Sequence, residues 1–250
     1  MRFLAALQFL TTLPTPWRHK IGPGDAARST GFFPLVGIII GFILFGLSLA
    51  LGMLLPSTLV NILLIVSLVV ITGGSHLDGF IDTCDGIGGH KTPEERWQVM
   101  HDSRVGGFGI IGVCCLLLAK YVALNSIPND LLMTTLILMP VVSRWTMVYA
   151  IFAYPYARPS GLGKAFKQET SGRRLAMATV IALAIAIGLA RLAGLVLMLG
   201  TWVMVIAMAT YLKRRFAGLT GDNYGAINEA AEVCILALVS MLAHHHWLGL

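Results

Sequence analysis

No Asp, Glu, Lys or Arg occurs between residues 29 and 77, a stretch long enough for two membrane-crossing helices with a turn at Pro56 and Ser57. Apolar runs of similar character recur to the end of the chain. The pattern predicts seven spans, at residues 31–55, 58–75, 107–126, 131–153, 175–190, 193–212 and 226–243. A helix needs about 20 apolar residues to cross a hydrocarbon layer of about 30 Å, and most of these runs approach that length. The fifth is the shortest, and only Arg191 and its neighbours divide it from the sixth. A further apolar run at residues 3–13 stops at Pro14 and Pro16. It lacks the basic region and small-residue cleavage site of a signal peptide, so it reads as a short interfacial or re-entrant helix kept in the mature protein.

Composition turns this pattern into a fold class. The chain of 250 residues is 56% hydrophobic and 12% charged, with a mean hydropathy of +0.79. Soluble domains carry about 25% charged residues, which excludes a soluble globular enzyme. The expected fold is an all-α polytopic membrane bundle of about seven transmembrane helices plus the short N-terminal helix, forming one integral membrane domain over residues 1–250. The net charge of +6 is not organised for nucleic acid, because the densest basic run, Lys213, Arg214 and Arg215, is short. Instead, with a cytoplasmic N-terminus, every Lys and Arg except Arg191, Lys120 and Arg144 falls on the cytoplasmic side, as the positive-inside rule requires. Cys84, Cys114, Cys115 and Cys234 show no metal-binding spacing and read as packing residues. The terminal His244, His245 and His246, followed by Trp247, read as an interfacial end on the outer side.

The scarce acids carry the chemistry. Of 12 Asp and Glu residues, six cluster between residues 78 and 102 and three between 222 and 232, and both clusters emerge on the cytoplasmic side in this orientation. Asp78, Asp82 and Asp85 share one face of a helix, within an arc of about 60°. Three carboxylates so placed call for a hard divalent cation, Mg²⁺ first, whereas the alternative is a solvated helix end. Glycines at 73, 74, 79 and 86 would let phosphate approach the backbone. Downstream, Asp102, Ser103 and Arg104 precede Gly106, Gly107 and Gly109, an arrangement suited to clamping phosphate at a helix N-terminus. Glu94 and Glu95 read as the acidic first turn of an amphipathic helix. In the C-terminal cluster Asp222 and Glu229 lie about 20° apart on a helix. Acids as deep as Glu229 and Glu232 have a functional partner as the default, metal or substrate, against a structural bond to a neighbouring helix. Lys120 and Arg144 lie inside spans and point into the bundle or snorkel to its edge. With Arg158 they supply positive charge for a phosphate or pyrophosphate.

The segments GGSHLDGFIDTCDGIGG, HDSRVGGFG, SRW with YPYARPSGLG, and TGDNYGAINEAAE, in this order and spacing, closely resemble the cobalamin synthase family of adenosylcobinamide-GDP ribazoletransferases. LQFLTTLPTP near the start is similar to that family's N-terminal segment, so the resemblance covers nearly the whole chain. His101 departs from it, standing where the family pattern has Lys before DSR. The resemblance implies an enzyme of the bacterial inner membrane, its N-terminus and active site cytoplasmic, with loops near 74–106, 154–174 and 213–225 forming the site. It implies that ribazole or its 5'-phosphate attacks the phosphate carried by cobinamide in adenosylcobinamide-GDP, releasing GMP with Mg²⁺ required. Asp78, Asp82, Asp85 and Glu229 are then the expected metal ligands, and Ser103, Arg104, Lys120, Arg144 and Arg158 the phosphate contacts. Asp102 and Asp222, then His76, are candidates for taking the hydroxyl proton, and Asp82 counts with them as catalytic. The expected partners are the two substrates and membrane lipid, without nucleic acid and with room for a homo-oligomer. The runner-up is a CDP-alcohol phosphotransferase of lipid synthesis, suggested by Asp82 to Gly86, although Gly89, His90, Lys91 and Thr92 do not continue that motif. A cation-coupled transporter is the alternative of another class, disfavoured because the acids gather at span ends and not at the bilayer midplane.

Overall fold

The structure is a computed structural model that describes residues 2–15, 22–89 and 91–244. Pro16, Arg18, Lys20 and the terminal His245, His246 and Trp247, on which sequence expectations were placed, lie outside the described residues. In chain order the helices are α1 (Arg2–Leu10), α2 (Pro23–Ala27), α3 (Phe33–Gly52), α4 (Ser57–Ile71), α5 (Ser75–Ile87), α6 (Pro93–Val99), α7 (Gly107–Asn125), α8 (Asn129–Ala153), α9 (Leu162–Glu169), α10 (Gly172–Phe216) and α11 (Gly221–His244). The protein is an all-α multi-pass membrane bundle. Five helical segments are long and apolar enough to cross a membrane, or six when α4 and α5 are taken as one broken unit.

Helix α8 forms the hub, with nearly all of its residues from Thr135 to Ile151 buried. It packs closely against α3 because Gly37 and Gly41 remove the side chains that would separate the backbones. A Cβ at Gly37 would come within 2.5 Å of the Pro140 carbonyl, and one at Gly41 within 2.6 Å of the Ile137 Cα. Small residues four apart are the usual means of close helix approach in lipid, where apolar burial alone gives little drive.

Two breaks decide where the polar residues go. Gly73 and Gly74 adopt φ of +64° and +68°, a left-handed conformation open to glycine, and α5 departs from α4 at 91°. The straight helix of the second expected span therefore ends at Ile71, and α5 runs at nearly a right angle to it. Helix α10 breaks at Arg191, which has φ 48° and ψ −127°. Trp145 Nε1 donates to Thr179 Oγ1 at 2.9 Å, while the ring of Tyr149, one turn along α8, lies 5.9 Å from Trp202. Residues 179 and 202 would be about 35 Å apart on an unbroken helix, so the chain reverses at Arg191. Gly194 sits directly against the Ala186 carbonyl at this reversal. Its two arms match the fifth and sixth apolar runs of the sequence.

Helix α1 packs at the same end as α5. Ala6 and Leu10 are fully buried, and Thr12 N donates to the Ile71 carbonyl at 2.7 Å.

Candidate active site

Three local devices bring the polar segments together. The first is a crossing of α5 over the start of α11 through glycines. A Cβ at Gly79 would meet the Asp222 carbonyl at 2.8 Å, and one at Gly225 would meet the His76 backbone at 3.1 Å. Asp222 thus sits against α5 beside Asp78 and Asp82. The second is a reciprocal cap at the start of α11. Asn223 N donates to Thr220 Oγ1, Thr220 N donates to Asn223 Oδ1, and Asn223 Nδ2 donates to Thr83 Oγ1 on α5 at 3.0 Å. The third is a tether between loops. Leu219 N donates to the Pro155 carbonyl and Ala157 N to the Leu219 carbonyl, which carries Arg158 to Asp222, its Nη2 3.1 Å from Oδ2.

The aspartates of α5 grade from exposed to buried. Asp78 is exposed, Asp82 half-buried and Asp85 buried. Burial, then the charges of Asp78, Asp222 and Asp85, push the Asp82 carboxyl up to about 7, with Arg158 opposing them. Such a carboxylate gains from a cation that relieves the repulsion. Among the described residues no three His, Cys, Asp or Glu side chains are gathered as a ready-made metal cage. That is compatible with Mg²⁺, which keeps waters and takes one or two carboxylates together with substrate phosphate oxygens. The hard oxygen donors of Asp78 and Asp82 suit it.

Asp85 has a different task. Its Oδ2 accepts from Gly106 N and its Oδ1 from Gly109 N, each at 2.7 Å, so it caps the start of α7. A Cβ at either glycine would strike this carboxylate, at 2.4 Å from Gly106 and 2.5 Å from Gly109. The phosphate expected at this helix N-terminus is replaced by the protein's own anion, which corrects the reading of these glycines. Neighbouring Ser103 and Arg104 are exposed, and Arg104 grips Asp102 with Nε at 3.0 Å and Nη2 at 2.7 Å. These hydrogen bonds hold the Asp102 carboxyl down at about 2. A carboxylate so stabilised is a poor proton acceptor.

The structure does not bring Glu229, Lys120 and Arg144 to the aspartates. They form a buried quartet with Glu232 inside the bundle. Lys120 Nζ donates to Glu229 and Glu232 at 2.5 Å each, and Arg144 Nη1 donates to Glu232 and, at 2.9 Å, to Ser143 Oγ. Two cations balance two anions, which is how ionised groups persist in a membrane interior. Metal binding by Glu229 and phosphate binding by Lys120 would require breaking those pairs, whereas Arg144 keeps Nε and Nη2 without a partner among the described residues.

A cavity of about 320 Å³ opens between α1, α3, α9 and the start of α11, with Asp222, Arg158 and His76 in its wall. Sequence reasoning missed the other side of that wall. Phe9, Phe33 and Phe166 come from three distant segments, and their ring centroids lie 4.7 to 6.0 Å apart. Arg96 was also missed. It is buried at the end of α5, where its guanidinium donates to the carbonyls of Gly86, Ile87, Gly89 and Lys91.

Compared with known proteins, residues 2–240 match the family model described as cobalamin-5-phosphate synthase. An adenosylcobinamide-GDP ribazoletransferase of Syntrophobacter fumaroxidans is 37% identical over 246 residues, covering 96% of this chain and 98% of that one. One from Roseiflexus sp. is 35% identical, covering 95% of this chain and 88% of that one, and one from Geotalea daltonii is 33% identical, covering 96% and 97%. No solved structure matches.

Proposed function

The chain belongs to the cobalamin-5-phosphate synthase family, and from that premise we propose how it works as an adenosylcobinamide-GDP ribazoletransferase. The reaction is a late step in assembling the nucleotide loop of cobalamin. A ribose hydroxyl of ribazole, or of its phosphate, attacks the phosphorus attached to cobinamide. The new O–P bond forms as the bond to the bridging oxygen breaks, and GMP leaves with that electron pair.

The observation that carries the residue assignment is the glycine crossing of α5 and α11, which sets Asp222 between the α5 aspartates and the cavity. Asp222 takes the proton from the attacking hydroxyl, since its contacts with Arg158 and Thr220 both fall on Oδ2, whereas Arg104 engages both oxygens of Asp102 and the α7 amides both oxygens of Asp85. Asp78 and Asp82 would hold Mg²⁺, which when bound neutralises charge across the pyrophosphate. Arg158 orients Asp222 and adds positive charge beside the reacting phosphate. Arg104 and Ser103, exposed on the neighbouring loop, would meet the outer phosphate as the substrate arrives, Arg104 exchanging Asp102 for it. Asp85 contributes by fixing α7 against α5. The site faces the cytoplasm of the bacterial inner membrane, in keeping with the distribution of Lys and Arg along the chain.

Purified protein in detergent, given adenosylcobinamide-GDP, ribazole and Mg²⁺, should release GMP only when all three are present. Absence of GMP with all three present would contradict the reading.

A further inference from the structure

The 320 Å³ cavity has one aromatic side and one polar side. Phe9, Phe33 and Phe166 pack edge and face against each other on the first, and Asp222 and Arg158 stand on the second. Its size is at the small end of small-molecule sites, about 300–1,000 Å³. A two-ring nucleoside fits this volume, and a corrin macrocycle does not. A guanine base lying against the aromatic side would find no partners there for the several donors and acceptors on its edge, because Phe9, Phe33, Phe166, Met147 and Ile151 carry none. Ribazole is a benzimidazole riboside, whose base has a largely apolar outline.

His76 and Tyr224, also in the cavity wall, each carry a buried polar atom with no partner among the described residues, Nδ1 and the hydroxyl. The wall therefore retains hydrogen-bonding capacity that the protein leaves unused, suited to a ring nitrogen or ribose hydroxyls. We propose that this cavity is the binding site of the attacking nucleoside, its base against Phe9, Phe33 and Phe166 and its ribose toward Asp222. The corrinoid nucleotide then approaches from the opposite side, over Asp78 and Asp82. This assignment rests on the ribazoletransferase reading and specifies which of the two substrates enters the bundle.

Gly221 provides a test, because it lines the cavity and a Cβ there would meet nothing within 4 Å. Gly221→Leu should fill space that the ligand needs without displacing protein atoms at the backbone. The KM for ribazole should rise about tenfold or more. The KM for adenosylcobinamide-GDP should stay within about twofold of wild type, with Gly221→Ala intermediate. Phe166→Leu, which shrinks the aromatic wall, should shift the ribazole KM in the same direction. Equilibrium dialysis of ribazole alone against the full-length protein should show binding to wild type and weaker binding to Gly221→Leu. A rise confined to the KM for adenosylcobinamide-GDP would assign the cavity to the corrinoid nucleotide and overturn the proposal. Unchanged constants and unchanged dialysis in both variants would overturn it as well. If Gly221→Leu does not fold, Phe166→Leu decides by the same readings. Wild-type protein that binds ribazole but releases no GMP would contradict the transferase reading while leaving the cavity assignment standing.

Discussion

Asp82 concentrates the electrostatic problem of the site, since three other aspartates bear on a half-buried carboxyl that is raised to about 7. A group that keeps its proton so long must lose it before it can hold a cation. The Mg²⁺ concentration for half-maximal GMP release should therefore climb as the medium is taken from about pH 8 to about pH 6. A requirement that stays flat across that interval would count against Asp82 as a ligand. Lys120 makes the opposite kind of prediction, because its ammonium is enclosed by Glu229 and Glu232. Lys120→Met leaves an uncompensated buried charge and should lower stability by about 3–5 kcal/mol. Pairing it with Glu229→Gln should recover much of that loss in thermal unfolding. A phosphate-binding lysine would instead raise a KM with stability unchanged. The sequence could mark both residues as exceptional, since charge is rare in so apolar a chain. It could not say which acid meets which base, because the partners lie 109 and 112 positions apart.

Among the elements, α5 carries the aspartates and is held at each end. Gly73 and Gly74 turn it out of line with α4, Arg96 closes its last carbonyls, and Gly79 lets α11 touch its middle. Gly79→Ala should separate the two helices by enough to misalign Asp222 with Asp82. A displacement near 1 Å can reduce a rate by about 10²-fold, so kcat should fall strongly while the protein still inserts and folds. Wild-type turnover in Gly79→Ala would show that the crossing does not set the geometry. Apolar runs were enough to anticipate most of the spans, because hydrocarbon demands length and composition that are visible locally. The bend before α5 was not visible, since glycine permits a left-handed backbone without requiring it. The glycines before α7 suggested bound phosphate for a sound physical reason, as an open helix N-terminus attracts an anion. Only the packing of α5 reveals that Asp85 is that anion.

At the scale of the whole molecule, an apolar bundle carries a polar end assembled from α5, the loop after α8 and the start of α11. The hairpin at Arg191 lies at the opposite end by the course of the chain, which fixes a topology that can be read chemically. Arg191→Cys should react with a membrane-impermeant maleimide added to intact cells, and Lys164→Cys only after the cells are opened. The reverse pattern would invert the orientation. The aromatic cavity was hidden from the sequence because its phenylalanines come from three segments, each of which reads as ordinary apolar packing. Asp78 and Asp82 could be paired from the sequence because their spacing falls on one helical face, whereas Asp85 of the same face turns to the α7 amides. The most direct measurement is ribazole-dependent GMP release with Mg²⁺ by purified Asp82→Asn beside wild type, with thermal unfolding recorded for both. Loss of even an outer partner of a metal site typically costs about 10–100-fold, so removing a ligand charge should reduce turnover by about 100-fold or more with the unfolding transition retained. Asp82→Asn that folds and turns over like wild type would contradict a metal-dependent transfer site built on α5.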